Sequence, residues 1–300
     1  MADKTTGTRQ GELSAAASGT FTIGEDLTIN RLGFGAMRIT GEGVWGEPKD
    51  HDQAIRVLQR AVELGIDFID TADSYGPEVS ERLIAEALHP YPANLVIATK
   101  AGFDRPGAGK WVMNGRPEHL REACEGSLKR LRLERIDLYQ LHRIDPAVPA
   151  EDQIGTLADL QQEGKIKHIG LSEVSVEQVR HAQSMVKIVS VQNRYSVADR
   201  AAEDVLEHCE AQGIGFIPWF PLGAGKLAEP GGALARTAKE VGITTSQLAL
   251  AWLLWRSPVM LPIPGTSSVA HLEENVATAT VNVDDGKMKE LGKLTQSAQA

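Results

Sequence analysis

In residues 50–64, apolar side chains fall at Ala54, Val57, Leu58, Ala61 and Val62, the i, i+3, i+4, i+7, i+8 series of one helix face. Gly65 follows and predicts the helix end. A short apolar run, FIDTAD, comes next, and the same order of helix, glycine and strand returns at QQEGKIKHIG and EAQGIGFIP. Strands are predicted at residues 32–37, 68–72, 95–100, 138–142, 166–171, 188–192, 216–219 and 260–264. Continuous apolar runs rather than alternating ones indicate parallel strands buried on both faces. Eight strands alternating with helices, and no Pro/Gly/Ser-rich linker between halves, predict an α/β fold closed as a (β/α)8 TIM barrel. An open dinucleotide-binding sheet would place G-x-G-x-x-G after its first strand. The run Gly33-Phe34-Gly35-Ala36-Met37-Arg38 lacks the third glycine, so Gly33 and Gly35 are read as close-packing positions. Ahead of the barrel, residues 21–23 and 27–29, split by Gly24-Glu25-Asp26, predict an N-terminal β-hairpin. Residues 1–19 have no periodicity and predict a disordered tail, leaving 20–300 as a single barrel domain.

Charge narrows the partners. With 31 basic and 40 acidic residues the chain carries −9, the wrong sign for coating nucleic acid or an anionic membrane. No apolar run is long enough to span a bilayer and the start lacks a signal-peptide core, so a soluble, cytoplasmic protein is expected. Cys124 and Cys209 lack a neighbouring Cys or His at ligand spacing, which predicts reduced structural thiols and no metal site.

In such a barrel the C-terminal ends of the strands meet at one mouth. Strand two ends in Asp70 with Tyr75 in its loop, strand three ends in Lys100, and strand four ends in His142. This set suits hydride addition to a carbonyl, whose oxygen must be protonated as negative charge develops on it. Tyr75 is the candidate acid, and an ammonium at Lys100 would lower its pKa by favouring phenolate. Asp70 would hold and neutralise that ammonium, and His142 would orient the carbonyl by a hydrogen bond. Each residue also has a plain structural use: a turn cap, a packed phenol, a solvated lysine, an interior histidine. Position alone leaves the two readings evenly matched.

The segments DFIDTADSYG, VIATKAG, DLYQLHRID, IKHIGLSE, VQNRYS and IPGTSSVAHLEENV, in this order, resemble the aldo-keto reductase superfamily over nearly the whole chain beyond the tail. The runs VKIVSVQNRYSVADR and WFPLGAGKLAE are most similar to its bacterial pyridoxal reductase (pyridoxine 4-dehydrogenase) type. The resemblance implies reduction of an aldehyde or ketone by NADPH, with NADH not excluded, and places the catalytic set on Asp70, Tyr75, Lys100 and His142. It implies that Ser172 and Gln192 hold the nicotinamide carboxamide and that Trp219 stacks on the ring. Gly35, Ala36, Met37, Asp70 and Glu173 belong to the same cofactor wall, which continues through Phe220, Pro221, Leu222 and Gly223. Gly265, Thr266, Ser267, His271, Glu274 and Asn275 match the adenosine end. Three positions depart from the family pattern. Glu173 stands for the Asn of GLSN and cannot donate a hydrogen bond while ionised. Ser267, Ser268 and His271 occupy the stretch where an Arg or Lys usually grips the 2′-phosphate. Ala36 replaces a common Thr.

Substrate contacts are expected from mouth loops: Trp45, Trp111, Tyr75, His142 and Arg143, with Met113, Asp145, Arg194 and Tyr195 as further polar or apolar neighbours. The expected partner is a small carbonyl compound, pyridoxal or another aromatic or aliphatic aldehyde. A monomer is the working expectation, since one chain gives no oligomeric state. Two alternatives stay open: an NAD(P)-dependent alcohol dehydrogenase running oxidatively, and a nucleotide-sensing module like the β-subunits of potassium channels.

Overall fold

The computed structural model describes residues 13–223 and 229–297. The hairpin forms as expected, β1 (Thr20–Ile23) against β2 (Leu27–Asn30), antiparallel with Ile23 opposite Leu27. The barrel strands are β3 (Phe34–Gly35), β4 (Phe68–Asp70), β5 (Val96–Ala101), β8 (Ile136–Leu141), β9 (Ile166–Ser172), β10 (Ile188–Arg194) and β11 (Gly215–Trp219), all parallel, in the order β3-β4-β5-β8-β9-β10-β11. A second hairpin, β6 (Phe103–Gly107) and β7 (Lys110–Met113), leaves the mouth after β5.

The predicted eighth strand, residues 260–264, runs between β11 and β3 and closes the barrel without a regular ladder. Leu261 N–H donates to Phe216 O and Gly33 N–H donates to Pro262 O. Pro262 and Pro264 have no N–H to give, which is why only isolated bonds form there. The glycines at this seam are packing positions. A Cβ on Gly33 would stand 2.8 Å from Phe68 O, and one on Gly35 2.6 Å from Ile263 O.

Helices wrap the outside: α1 (His51–Glu63), α2 (Val79–Leu88), α3 (Pro117–Leu131), α4 (Ala150–Gln162), α5 (Val176–Gln183), α6 (Glu203–Gln212), α7 (Ala233–Val241), α8 (Thr245–Arg256), α9 (Val269–Ala277) and α10 (Asp285–Ser297). The expected face of α1 is the buried one: Ala54, Val57, Leu58 and Ala61. Inside the barrel, Phe68, Val96, Ala98, Leu138, Ile217 and Leu261 pack on Ile23 and Ile29, so the N-terminal hairpin plugs the bottom. Cys124 and Cys209 are free, buried thiols, each pushed up to about 12 by burial.

Residues 13–19, expected as part of a tail, are ordered against the barrel. Ala15–Ser18 form a 3-10 turn in which Ala15 N–H donates to Leu64 O at 2.8 Å and Ser18 Oγ accepts from Leu32 N–H at 3.0 Å. Small residues without periodicity read as coil, yet Ala15 can bury against α1 because its side chain is a single methyl. Residues 1–12 lie outside the described part of the chain.

Candidate active site

Side chains alternate across a strand, so a position two residues along from an interior one is interior again. Phe68 is interior on β4, which brings Asp70 inside; Val96 and Ala98 do the same for Lys100, and Leu138 for Gln140 and then His142. Four polar residues therefore converge at the top of an otherwise apolar interior.

Lys100 is fully buried and Asp70 is 2% exposed. Lys100 Nζ donates to Asp70 Oδ2 at 2.7 Å and to Thr71 O at 2.8 Å. The second carboxylate oxygen, Asp70 Oδ1, accepts from Gln140 Nε2 at 3.1 Å and Gln192 Nε2 at 2.9 Å. A buried ion pair persists only when its remaining lone pairs and protons are matched, and here three donors converge on one carboxylate. Gln140 went unrecognised in the sequence. Its signal was available, because it lies between Leu138 and His142 on the same inward face.

Tyr75 is 7% exposed, with the Lys100 ammonium 5.2 Å from its ring centre. Burial raises the phenol above its ordinary value; Lys100 pulls it down, as expected, but does not overcome burial. The phenol therefore stays protonated across neutral pH. Burial opposes the Lys100 charge, while Asp70 and Tyr75 favour it enough to hold the ammonium above its usual range. His142 is pushed well below the usual imidazole value, by burial first and then by Lys100, Arg143 and Arg105. Its Nδ1 lies 3.4 Å from Ser74 Oγ.

The mouth above is aromatic. Trp111, from β7, meets Tyr75 edge-on at 6.5 Å and His142 at 6.3 Å, while Phe103, from β6, meets His142 at 4.8 Å. Arg105, also unrecognised in the sequence, sits 3.6 Å over Trp111 and 5.4 Å from the Trp45 ring centre. Arg143 donates to His142 O at 2.6 Å and to Ser172 Oγ at 3.1 Å. Met113 is exposed at the end of β7. Asp145 is structural: its carboxylate accepts from Gly115 N–H and Ala147 N–H. Tyr195 is buried, bonded to Glu203 and stacked with Trp252, away from the substrate role considered for it.

On the opposite wall, Glu173, which cannot donate while ionised, is used as an acceptor. Its Oε1 accepts from the Trp219 indole N–H and from Arg194 N–H, while the Arg194 guanidinium pairs with Asp199 at 2.9 Å. The carboxylate thus anchors Trp219 rather than pairing with a cation. Glu173 itself adopts φ 54°, the left-handed region in which Asn is more at ease than Glu. Asn193, another unrecognised residue, fixes this turn through both amide atoms: Oδ1 accepts from Val174 N–H and Nδ2 donates to Val174 O.

Phe220, at φ 61°, and Leu222 are exposed beside Trp219, and Pro221 is buried. Gly223 O accepts from Ser196 Oγ at 2.8 Å, and residues 224–228 lie outside the described part. Gly35, followed by buried Ala36 and half-buried Met37, comes against Gly265, where a Cβ would strike Gly35 O. Thr266 Oγ1 accepts from Ser268 N–H, and Ser268 caps α9 by accepting from His271 N–H. Ser267 and His271 are exposed at this helix start. Glu274 accepts from Thr244 Oγ1 at 2.6 Å, and Asn275 is buried one residue on.

The pattern of the aldo/keto reductase family covers residues 31–296. The chain belongs to the aldo/keto reductase family. It is 52% identical over 284 residues to an uncharacterised oxidoreductase of Schizosaccharomyces pombe, covering 94% of this chain and 92% of that one. It is 42% identical over 286 residues to pyridoxine 4-dehydrogenase of Escherichia coli, covering 93% and 99%. Among solved structures, an aldo/keto reductase of Klebsiella pneumoniae in complex with NADP and acetate superposes with a TM-score of 0.77 at 25% identity, covering 92% of this chain and 94% of that one. These matches fix the family and the oxidoreductase class, and the fold agrees with the barrel expected above.

Proposed function

We propose that this chain reduces an aldehyde or ketone to the alcohol with NADPH, and that pyridoxal-like and other aromatic or aliphatic aldehydes are its substrates. The observation that carries the reading is the fully buried Lys100, paired to Asp70, beneath a protonated Tyr75 at the aromatic mouth.

The residues present fit a nicotinamide dinucleotide. Trp219 offers a half-buried indole plane locked by Glu173, the Gly35 and Gly265 backbones meet too closely for a Cβ, and the capped N-terminus of α9 beside Gly265 gives a phosphate N–H donors and a favourable dipole. Ser172, Gln192 and Trp219 would hold the nicotinamide end; Gly265, Thr266, Ser267, His271 and Asn275 would hold the adenosine end. When bound, the cofactor supplies the hydride.

Tyr75 O–H donates to the carbonyl oxygen and releases its proton as negative charge grows there. Lys100 stabilises the resulting phenolate, and Asp70 keeps the ammonium in place through its bonds to Lys100, Gln140 and Gln192. His142 stays neutral at neutral pH. With Ser74 Oγ–H donating to Nδ1, 3.4 Å away, the ring proton would sit on Nε2, where it can orient the carbonyl. Phe103, Trp111 and Trp45 line the mouth with aromatic surface beside the reacting atoms.

The 42% identical relative supports a pyridoxal-like substrate, and the fact that it is a dehydrogenase favours a second reading, alcohol oxidation in the reverse direction. The deciding assay follows NADPH absorbance against a carbonyl panel that includes pyridoxal, with pyridoxine and NADP+ as the reverse arm. Turnover of carbonyls supports the reading. Failure of every carbonyl, together with alcohol oxidation, would replace it by the second.

A further inference from the structure

The mouth of the barrel holds two guanidinium groups with no carboxylate in direct ion-pair contact among the described residues. Arg105 reaches it from β6 and Arg143 from the residue after His142. Among the described residues neither makes an ion pair within 4.0 Å, although the chain carries −9 overall and most of its other arginines are matched. The nearby carboxylates have other work: Asp70 holds Lys100, Asp104 accepts from Asn114, Asp145 caps backbone N–H groups, and Glu173 accepts from Trp219 and Arg194 N–H.

The two cations flank one place. Arg105 lies 3.6 Å over Trp111, and Arg143 lies 5.7 Å from the Phe103 ring centre; these two rings pack edge-on against each other at 5.4 Å and both meet His142. Guanidinium has five N–H donors in a fixed fork. Arg105 gives three of them to main-chain carbonyls, Ser74 O, Val44 O and Lys110 O, which pins it across three mouth loops and leaves two. Arg143 gives two, to His142 O and Ser172 Oγ, and keeps three. Burial makes each charge less favourable than in water, and at Arg143 the nearby Glu173 and Tyr75 offset only part of that. Fixed, partly dehydrated guanidinium groups with no ion-pair partner and with spare donors are how proteins recognise carboxylate and phosphate oxygens.

We propose that the substrate is a carbonyl compound bearing an anionic oxygen group, carboxylate, phosphate or phenolate, and that Arg105 and Arg143 bind that group while Tyr75 and His142 hold the carbonyl. This rests on the reductase reading above and narrows its substrate class. Arg143 is the nearer contact because of its spare donors. Arg105 also sets the spacing of the walls that carry Trp45 and Trp111.

The test compares 4-carboxybenzaldehyde with its methyl ester, which differ in charge but little in size; the ester's electron withdrawal makes its carbonyl the more reactive, so a preference for the acid runs against intrinsic reactivity. The acid is expected to have a kcat/KM about tenfold higher, the size of one charge-assisted hydrogen bond, mostly through KM and shrinking with added salt. Arg143→Met should bring the ratio near one, and Arg143→Lys should restore part of it, which a packing defect would not do. Arg105→Met should reduce the ratio as well, with Arg105→Lys as its control. Equal turnover of acid and ester by the parent chain, or a ratio untouched by both Met variants, overturns the proposal and leaves the reductase reading standing. Weaker NADPH binding in Arg143→Met with the acid preference intact overturns it too, by moving Arg143 to the cofactor. If no aldehyde is reduced, benzoate titrated against intrinsic tryptophan fluorescence separates the two ideas. Binding lost in Arg143→Met keeps the anion site and sinks the reductase reading, while no binding sinks both.

Discussion

At the bottom of the barrel the inward positions of β4, β5 and β8 are Phe68, Val96 and Leu138, packed on Ile23 and Ile29 of the hairpin; further along the same strands they are Asp70, Lys100, Gln140 and His142. The backbone ladder is the same at both ends, and the surroundings equally exclude water. At the bottom, burial of hydrocarbon is favourable in itself, so any tight packing will serve. At the top, burial of Lys100 and Asp70 is costly, and the state persists because Thr71 O, Gln140 and Gln192 match the groups left over. The bottom is where the barrel gains stability, and the top is where that stability holds a charged set in place.

The sharpest way to break this contrast is Tyr75→Phe, which removes the acid and leaves packing intact. Turnover should fall by about 10²- to 10⁴-fold with NADPH affinity and melting temperature unchanged. A mutant within threefold of the parent would end the assignment. Lys100→Met should lose comparable activity and also destabilise the fold by about 3–5 kcal/mol, because Asp70 is left charged and unpaired. Adding Asp70→Asn should recover part of that stability and none of the activity. Chemical denaturation with parallel assays separates the two effects.

At the opposite end, Ile29→Ala should cost about 2–5 kcal/mol of stability while kcat/KM of the folded enzyme stays the same. Changed kinetics there would mean that the plug and the mouth are coupled. Glu173→Asn suits the left-handed backbone but removes the carboxylate beside Trp219. NADP+ should weaken relative to NADPH by about three- to tenfold, since the positively charged nicotinamide loses an attractive charge. Dissociation constants for both nucleotides in parent and mutant decide it, and a constant ratio excludes that role.

The smallest expected effect concerns His142. Its folded pKa lies well below the ordinary 6.5, so below that pH the unfolded chain takes up a proton that the folded chain refuses. The contribution is complete above pH 6.5 and is lost as pH falls through that window. Thermal melts in His142→Asn should show a shallower loss of stability between pH 6.5 and 5 than the parent; equal slopes would show that His142 protonates freely in the fold.

The barrel, the helix faces and the N-terminal hairpin were legible because burial imposes a period on the chain: 3.6 for α1, with Ala54, Val57, Leu58 and Ala61 inward, and continuous apolar runs for the strands. The candidate acid, its ammonium and its carboxylate were legible for a related reason. They stand at strand ends, and the fold dictates that strand ends meet. Tertiary structure decided what depends on partners distant in the chain. Arg105 looks like any loop arginine until Ser74, Val44 and Trp111 surround it. Glu173 looks like a misplaced donor until Trp219 and Arg194 N–H close on its carboxylate. The direction of the Tyr75 shift was likewise a matter of degree: sequence puts a lysine nearby, but only the depth of the site makes burial outweigh that charge. Periodicity is written locally in the chain, whereas pairing and desolvation are sums over neighbours that only the closed barrel brings together.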